Sequence, residues 1–230
     1  MSHLFNPKSD DSFIESYTEP DFDLIETFLW EEGAYFLLDL HMERFERSAD
    51  HFSFAYNITE ITDFLNHAVF SFDKTKKYRV RLLTKKTGKL QLSSQELDMP
   101  DKTPVKVILS TARTDRADEF LYHKTTNRKL YDHEFTKYRS NGFFDVIFMN
   151  NEGEVTEGAI SNIIVRKGDT HFTPPVSCGL LPGVYREYLL EIREDIIVKE
   201  KALFPEDLKN ADEIFMINSV RKKMPAVLSA

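Results

Sequence analysis

With 230 residues, of which 41% are hydrophobic, the chain is long enough to bury one large core or two modest ones. Its 38 acids against 30 bases give a formal net charge of -8, which argues against a nucleic-acid partner, and the lone Cys178 excludes an internal disulfide and a multi-cysteine metal cluster. No histidines stand at metal-ligand spacing, Met1 to Pro7 lacks a signal-peptide core, and no apolar run reaches membrane-spanning length, so the expectation is a cytoplasmic protein without a metal or membrane partner.

Residues 1 to 21 are polar and acidic and read as a loosely held lead-in. Asp23 to Trp30 predicts a strand, and Glu31-Glu32-Gly33 a turn into a second run over Ala34 to Leu38. Phe45, Ala49 and Phe52 recur at helical spacing, predicting an amphipathic helix over Leu40 to Phe54. Ile61, Phe64, Leu65 and Ala68 mark a second helix, with Asn57 or Thr59 as its N-cap. Alternation from Tyr78 to Leu83 predicts a strand that turns at Lys86-Thr87-Gly88 toward Leu90-Gln91-Leu92, and Val105 to Leu109 predicts another. Residues 1–110 thus read as a small α+β domain. The polar, aperiodic stretch 111–118 reads as an interdomain linker, and 119–230 as a larger α/β domain. That second half is expected to open on a strand bearing Lys124, followed by a helix through Leu130 and Tyr138. Strands around Glu157, a helix from Gly183 to Arg193, a short helix at Pro205 and a strand from Glu213 to Ile217 complete it.

The chemistry concentrates in four islands. Between the apolar runs Phe143 to Met149 and Asn162 to Val165 lies Glu157, with no lysine or arginine inside its own segment from Glu154 to Val165. A carboxylate there either faces water or awaits a partner from elsewhere, because burying it alone costs several kcal/mol or shifts its pKa. Lys124 follows a short apolar stretch, Phe120-Leu121-Tyr122-His123, and precedes a helix-like segment. Pro182-Gly183-Val184-Tyr185 opens a helix, whose first N–H groups and positive dipole end suit a phosphate. Asn218-Ser219-Val220-Arg221 ends a β-like run with an amide, a hydroxyl and a cation. An amine, a buried acid and phosphate donors are the parts needed to hold pyridoxal 5'-phosphate. Each also has a plain reading: a surface lysine, a solvated strand acid, an ordinary turn.

These islands, with Leu24-Ile25-Glu26-Thr27 and His41-Met42-Glu43-Arg44-Phe45-Glu46-Arg47-Ser48-Ala49, resemble the class IV aminotransferase family, which has the type IV pyridoxal-phosphate fold. The resemblance spans residues 22 to 226 and implies a two-domain α+β enzyme, like D-amino-acid aminotransferase, with its cofactor in the interdomain cleft. It implies that Lys124 is the Schiff-base lysine and general base, that Glu157 pairs with the pyridine nitrogen, and that Arg44 clamps the phosphate. Backbone N–H groups of Gly183, Val184 and Tyr185, with Asn218 and Ser219, would hold the same phosphate. A homodimer is also implied. Arg79 and Arg81 share one strand face, and are either substrate-carboxylate ligands or half of a solvated sheet face. Tyr122 and His123 flank the lysine, with His123 read as structural; Asn127 and Arg128 either orient the site or cap the following helix.

His123-Lys124-Thr125-Thr126-Asn127-Arg128, Thr173 to Gly183 and Asn218-Ser219-Val220-Arg221 place the resemblance nearest the family's aminodeoxychorismate lyase branch, which makes the folate precursor 4-aminobenzoate and pyruvate and works beside an aminodeoxychorismate synthase. The alternatives are an aminotransferase acting on D- or branched-chain amino acids and a non-catalytic pyridoxal-phosphate-binding protein. Branched-chain enzymes of the family carry a tyrosine five residues after the lysine, where this chain has Lys129; D-amino-acid enzymes use Arg-x-His, where it has Arg79-Val80-Arg81.

Overall fold

The computed structural model describes residues 22–97, 103–191 and 196–229; the predicted lead-in over 1–21 lies outside them. The fold is α+β, built on two sheets. The smaller has four antiparallel strands in the order β2-β1-β3-β4, from β1 (Leu24–Glu31), β2 (Ala34–Tyr35), β3 (Tyr78–Thr84) and β4 (Leu90–Glu96). Helices α1 (Leu38–His51) and α2 (Ile58–Ala68) accompany it. Helix α1 buries His41, Met42, Arg44, Phe45, Ser48 and Ala49, the i, i+3, i+4 face expected of an amphipathic helix. Asn57 caps α2, its side chain accepting from the backbone N–H groups of Thr59 and Glu60. Leu24, Phe28, Trp30, Phe45, Leu65, Val80 and Leu82 meet between sheet and helices as one core. The opposite sheet face carries Ile25, Thr27 and Leu29, in register with Leu83, Arg81 and Arg79.

The larger sheet has eight strands in the order β10-β9-β8-β11-β12-β5-β6-β7. They are β5 (Val105–Thr114), β6 (Asp145–Asn150), β7 (Val155–Gly158), β8 (Asn162–Lys167), β9 (Thr170–Thr173), β10 (Val198–Glu200), β11 (Glu213–Asn218) and β12 (Lys222–Leu228). Helices α3 (Lys129–Arg139), α4 (Val184–Glu191) and α5 (Pro205–Lys209) complete the described chain. Every residue of β6 is buried, the pattern of a strand covered on both faces.

Three expectations need correction. Val105 to Leu109 belongs to the larger sheet, where β5 runs parallel to β6 and β12, so the chain leaves the small sheet before residue 105. Residues 111–114 continue β5 instead of opening a linker, because Ser110 and Thr114 are buried against that sheet. Lys124 is not on a strand: its segment makes only an isolated bridge, Thr125 to Leu24, and its carbonyl accepts from the Ile25 N–H at 2.8 Å. The first strand of the small sheet therefore docks directly on the segment that carries the lysine.

Candidate active site

The two sheets enclose a cavity of about 740 Å³ that all ten predicted site residues line: Arg44, Arg79, Arg81, Lys124, Glu157, Gly183, Val184, Tyr185, Asn218 and Ser219. Such a volume accommodates a cofactor together with a small substrate.

Glu157 is buried, 6% exposed, on β7. Tyr131 from α3 donates its hydroxyl to Oε1 at 3.1 Å, and Asn162 at the start of β8 donates Nδ2 to Oε2 at 3.2 Å. Burial still dominates and pushes the Glu157 carboxyl up to about 8, against the Leu181 backbone N–H, Tyr131, Arg128 and Lys124, which all favour the anion. The acid thus calls for a further cation. Lys124, on the same cavity, is held down to about 7 by burial and then by the positive charges of Arg44 and Arg128. An amine in that range is a competent base near neutrality.

Arg44 is locked from behind. Its Nε donates to Glu26 Oε1 at 3.0 Å and its Nη2 to Oε2 at 2.6 Å, a bidentate pair in which all groups are buried. His41 Nδ1 lies 2.7 Å from the same Oε2. Burial works to raise the Glu26 carboxyl, yet Arg44 and His41 together bring it down to about 2. The remaining Arg44 nitrogen, Nη1, reaches the Pro182 carbonyl at 3.5 Å, so the guanidinium meets the turn that opens α4. The first N–H groups of α4 find no acceptor among the described residues. A Cβ on Gly183 would fall 1.9 Å from Asn162 Oδ1, so glycine alone lets this turn press against Asn162.

The donor set therefore suits pyridoxal phosphate on its own chemistry: a cation and helix-start N–H groups at one place, and on the same cavity a buried acid and an amine whose pKa burial holds down.

Asn218 and Ser219 are engaged within the protein. Asn218 Oδ1 accepts from the N–H groups of Val220 and Arg221 at 3.1 and 2.8 Å, and Ser219 Oγ sits 3.4 Å from the Thr27 carbonyl. Asn218 shapes the β11–β12 turn, and the long Ser219 contact leaves that hydroxyl able to re-point. His123 stacks on His51 with ring centroids 4.4 Å apart and bonds Ser48, and it also lines the cavity. Arg128 stands at the N-cap position of α3 without a side-chain cap bond; its Nη2 donates instead to the Ala159 carbonyl at 2.7 Å, tying the lysine segment to the loop after Glu157. The sequence reading gave no role to Tyr131, Asn162, Glu26 or His41. The last three lay inside the quoted motifs, but only the fold shows that they brace Glu157 and Arg44.

The family model for amino-transferase class IV matches residues 23–228. The chain belongs to the class IV aminotransferase family. Aminodeoxychorismate lyase of Bacillus subtilis is 31% identical over 225 residues, covering 88% of this chain and 75% of that protein. A crystal structure from Mesorhizobium loti, described provisionally as an amino-acid aminotransferase, is 32% identical with a TM-score of 0.85, covering 91% of this chain and 100% of its own. An aminotransferase from Brucella abortus, solved with its cofactor PLP, is 19% identical with a TM-score of 0.79, covering 90% and 80%, and shares the fold. These class IV relatives are enzymes, and this chain is an enzyme of their family.

Proposed function

We propose that this protein is a pyridoxal-phosphate-dependent lyase that converts 4-amino-4-deoxychorismate to 4-aminobenzoate and pyruvate. The observation that carries the choice of substrate is the pair Arg79 and Arg81 on the cavity wall. Neither has a carboxylate partner among the described residues; Arg79 donates to the Gln95 amide at 2.9 Å. The proposed substrate carries two carboxylates, whereas a branched-chain amino acid carries one and an aliphatic side chain that gains nothing from a second guanidinium.

Lys124, Glu157, Arg44 and the start of α4 would hold the cofactor as described. When bound, pyridoxal phosphate supplies an electron sink for negative charge developing on the carbon next to the substrate nitrogen. Glu157 sustains that sink by remaining anionic beside a cationic ring nitrogen. Lys124 Nζ takes the proton from the ring carbon that bears the nitrogen. The neighbouring carbon–oxygen bond breaks, the enolpyruvyl oxygen leaves with the bond's electron pair, and Lys124 returns the proton to the departing group. Aminobenzoate and pyruvate account for every atom of the substrate, so no water or amino acceptor enters. Arg79 and Arg81 orient the dianion so that its reacting carbon faces Lys124.

The test is incubation with 4-amino-4-deoxychorismate without any keto acid. Equal amounts of 4-aminobenzoate and pyruvate are expected; turnover only after a keto acid is added would overturn the lyase assignment and favour an aminotransferase.

A further inference from the structure

Arg221 takes no part in the site as built so far, yet it lines the same cavity. It follows the Asn218 turn, half-buried, with its guanidinium carbon 5.9 Å from the Phe144 ring centroid; Arg139 stands 5.8 Å from the same ring. No carboxylate pairs with Arg79, Arg81, Arg139 or Arg221 among the described residues. Burial and then Arg79 and Arg139 hold Arg221 below the usual arginine range, so these charges share one neighbourhood. Gathering unpaired guanidinium groups in a protein of net charge -8 costs stability unless an anion joins them.

Register orders the cations. The Lys124 carbonyl bonds Ile25, Thr27 stands opposite Arg81, and Leu29 opposite Arg79. Along β1, away from the lysine, Arg81 comes first and Arg79 follows roughly 7 Å farther on.

From this arrangement we infer that Arg79 and Arg221 form a second anion subsite, distinct from Arg81, that takes the carboxylate of a dicarboxylic substrate farther from the reacting amine. This assignment rests on the reading above and divides its two carboxylates: Arg81 takes the inner one, Arg79 and Arg221 the outer. Phe144 supplies a flat support that keeps the Arg221 fork directed.

Binding of amine-free probes to the cofactor-loaded protein, by isothermal titration, tests it. Chorismate is paired with benzoate, and 2-oxoglutarate with 2-oxobutyrate, so each pair sets a dicarboxylate against a monocarboxylate, and in the second pair the carboxylate is the sole difference. Arg79→Gln and Arg221→Gln are each expected to weaken chorismate about 10-fold or more while benzoate stays within about twofold. Arg221→Lys, which keeps the charge but loses the fork, should fall between, and Arg81→Gln should weaken both probes. Unchanged benzoate affinity also shows that a variant is folded. Equal weakening of both members of each pair by Arg221→Gln, or no weakening in either pair, overturns the subsite. Dependence on Arg221 for 2-oxoglutarate but not chorismate would keep a dicarboxylate subsite and remove the lyase reading instead. Formation of 4-aminobenzoate without keto acid, with no Arg221 dependence, would do the reverse.

Discussion

Arg44 cannot choose its direction alone, because a buried arginine has many rotamers and only one points its free edge at the α4 turn. Glu26 makes that choice by holding two of its three nitrogens, and His41 holds Glu26. Removing one member of such a buried pair costs about 3 kcal/mol or more, since the other charge is left without its partner. Glu26→Gln should therefore lower affinity for pyridoxal phosphate by about 10-fold or more, and affinity for inorganic phosphate by a similar factor, both readable by fluorescence titration. A phosphate affinity untouched by the change would show that Arg44 needs no such support. Lys124 has a different signature. Borohydride treatment of the loaded protein should leave the cofactor covalently attached to the peptide containing Lys124, and Lys124→Ala should lose both that adduct, by mass spectrometry, and turnover. At this scale the residues that meet on the cavity were legible in the sequence, because lysine, acid and arginine sit in the short motifs that carry the family resemblance. Their supports were not, since Tyr131 and Glu157 are brought together by the packing of α3 on the larger sheet.

Gly183 is where one element's backbone decides the site. The α4 turn lies so close to Asn162 that an added methyl group would overlap Oδ1, and Asn162 cannot simply swing away: its amide also donates to Glu157 and to the Leu181 carbonyl at 3.0 Å. Gly183→Ala must displace either the turn that opens α4 or the brace on Glu157. The expected outcome is at least a tenfold loss of cofactor affinity with a thermal midpoint lowered by only a few degrees. Intact affinity would mean the turn has slack that the geometry does not suggest. Periodicity exposed α1, and the side-chain cap exposed the start of α2. It failed at β12, where lysines and Pro225 interrupt the apolar pattern, and at the end of β5, where Ser110 and Thr114 are buried polar residues. Both strands are specified by their neighbours in the larger sheet more than by their own composition.

Four acids are buried among the described residues, Glu26, Glu134, Asp145 and Glu157, and burial and pairing drive three of them in opposed directions. Burial raises Asp145 to about 6, despite the Ser161 hydroxyl and the N–H groups of Val146, Ile160 and Ala159, and raises Glu157 to about 8. Glu26 is lowered to about 2. An acid raised on folding binds its proton more tightly in the native state, so the stability it lends is full below its unfolded value and is lost as pH rises through the folded one. Asp145 and Glu157 therefore weaken the cofactor-free protein between about pH 4 and 8. Glu26 acts oppositely: its contribution is present above the unfolded value of 4.5 and is lost as pH falls toward about 2. Lys124, lowered to about 7, opposes Glu157 only above that pH, whereas His41, His123 and His171, each lowered by burial, partly offset the acids between pH 5 and pH 7. Between pH 5 and pH 7 the two acids together should take roughly 4 kcal/mol from the urea-unfolding stability of the cofactor-free protein, before the histidine offset. Glu157→Gln should remove its own share, roughly 2.5 kcal/mol, from that loss. Cofactor loading should flatten the profile in the same way, because a cationic ring nitrogen stabilises the Glu157 anion. Parallel pH profiles for wild type and Glu157→Gln would place Glu157 in contact with water and leave its neighbourhood to Lys124 without chemical meaning.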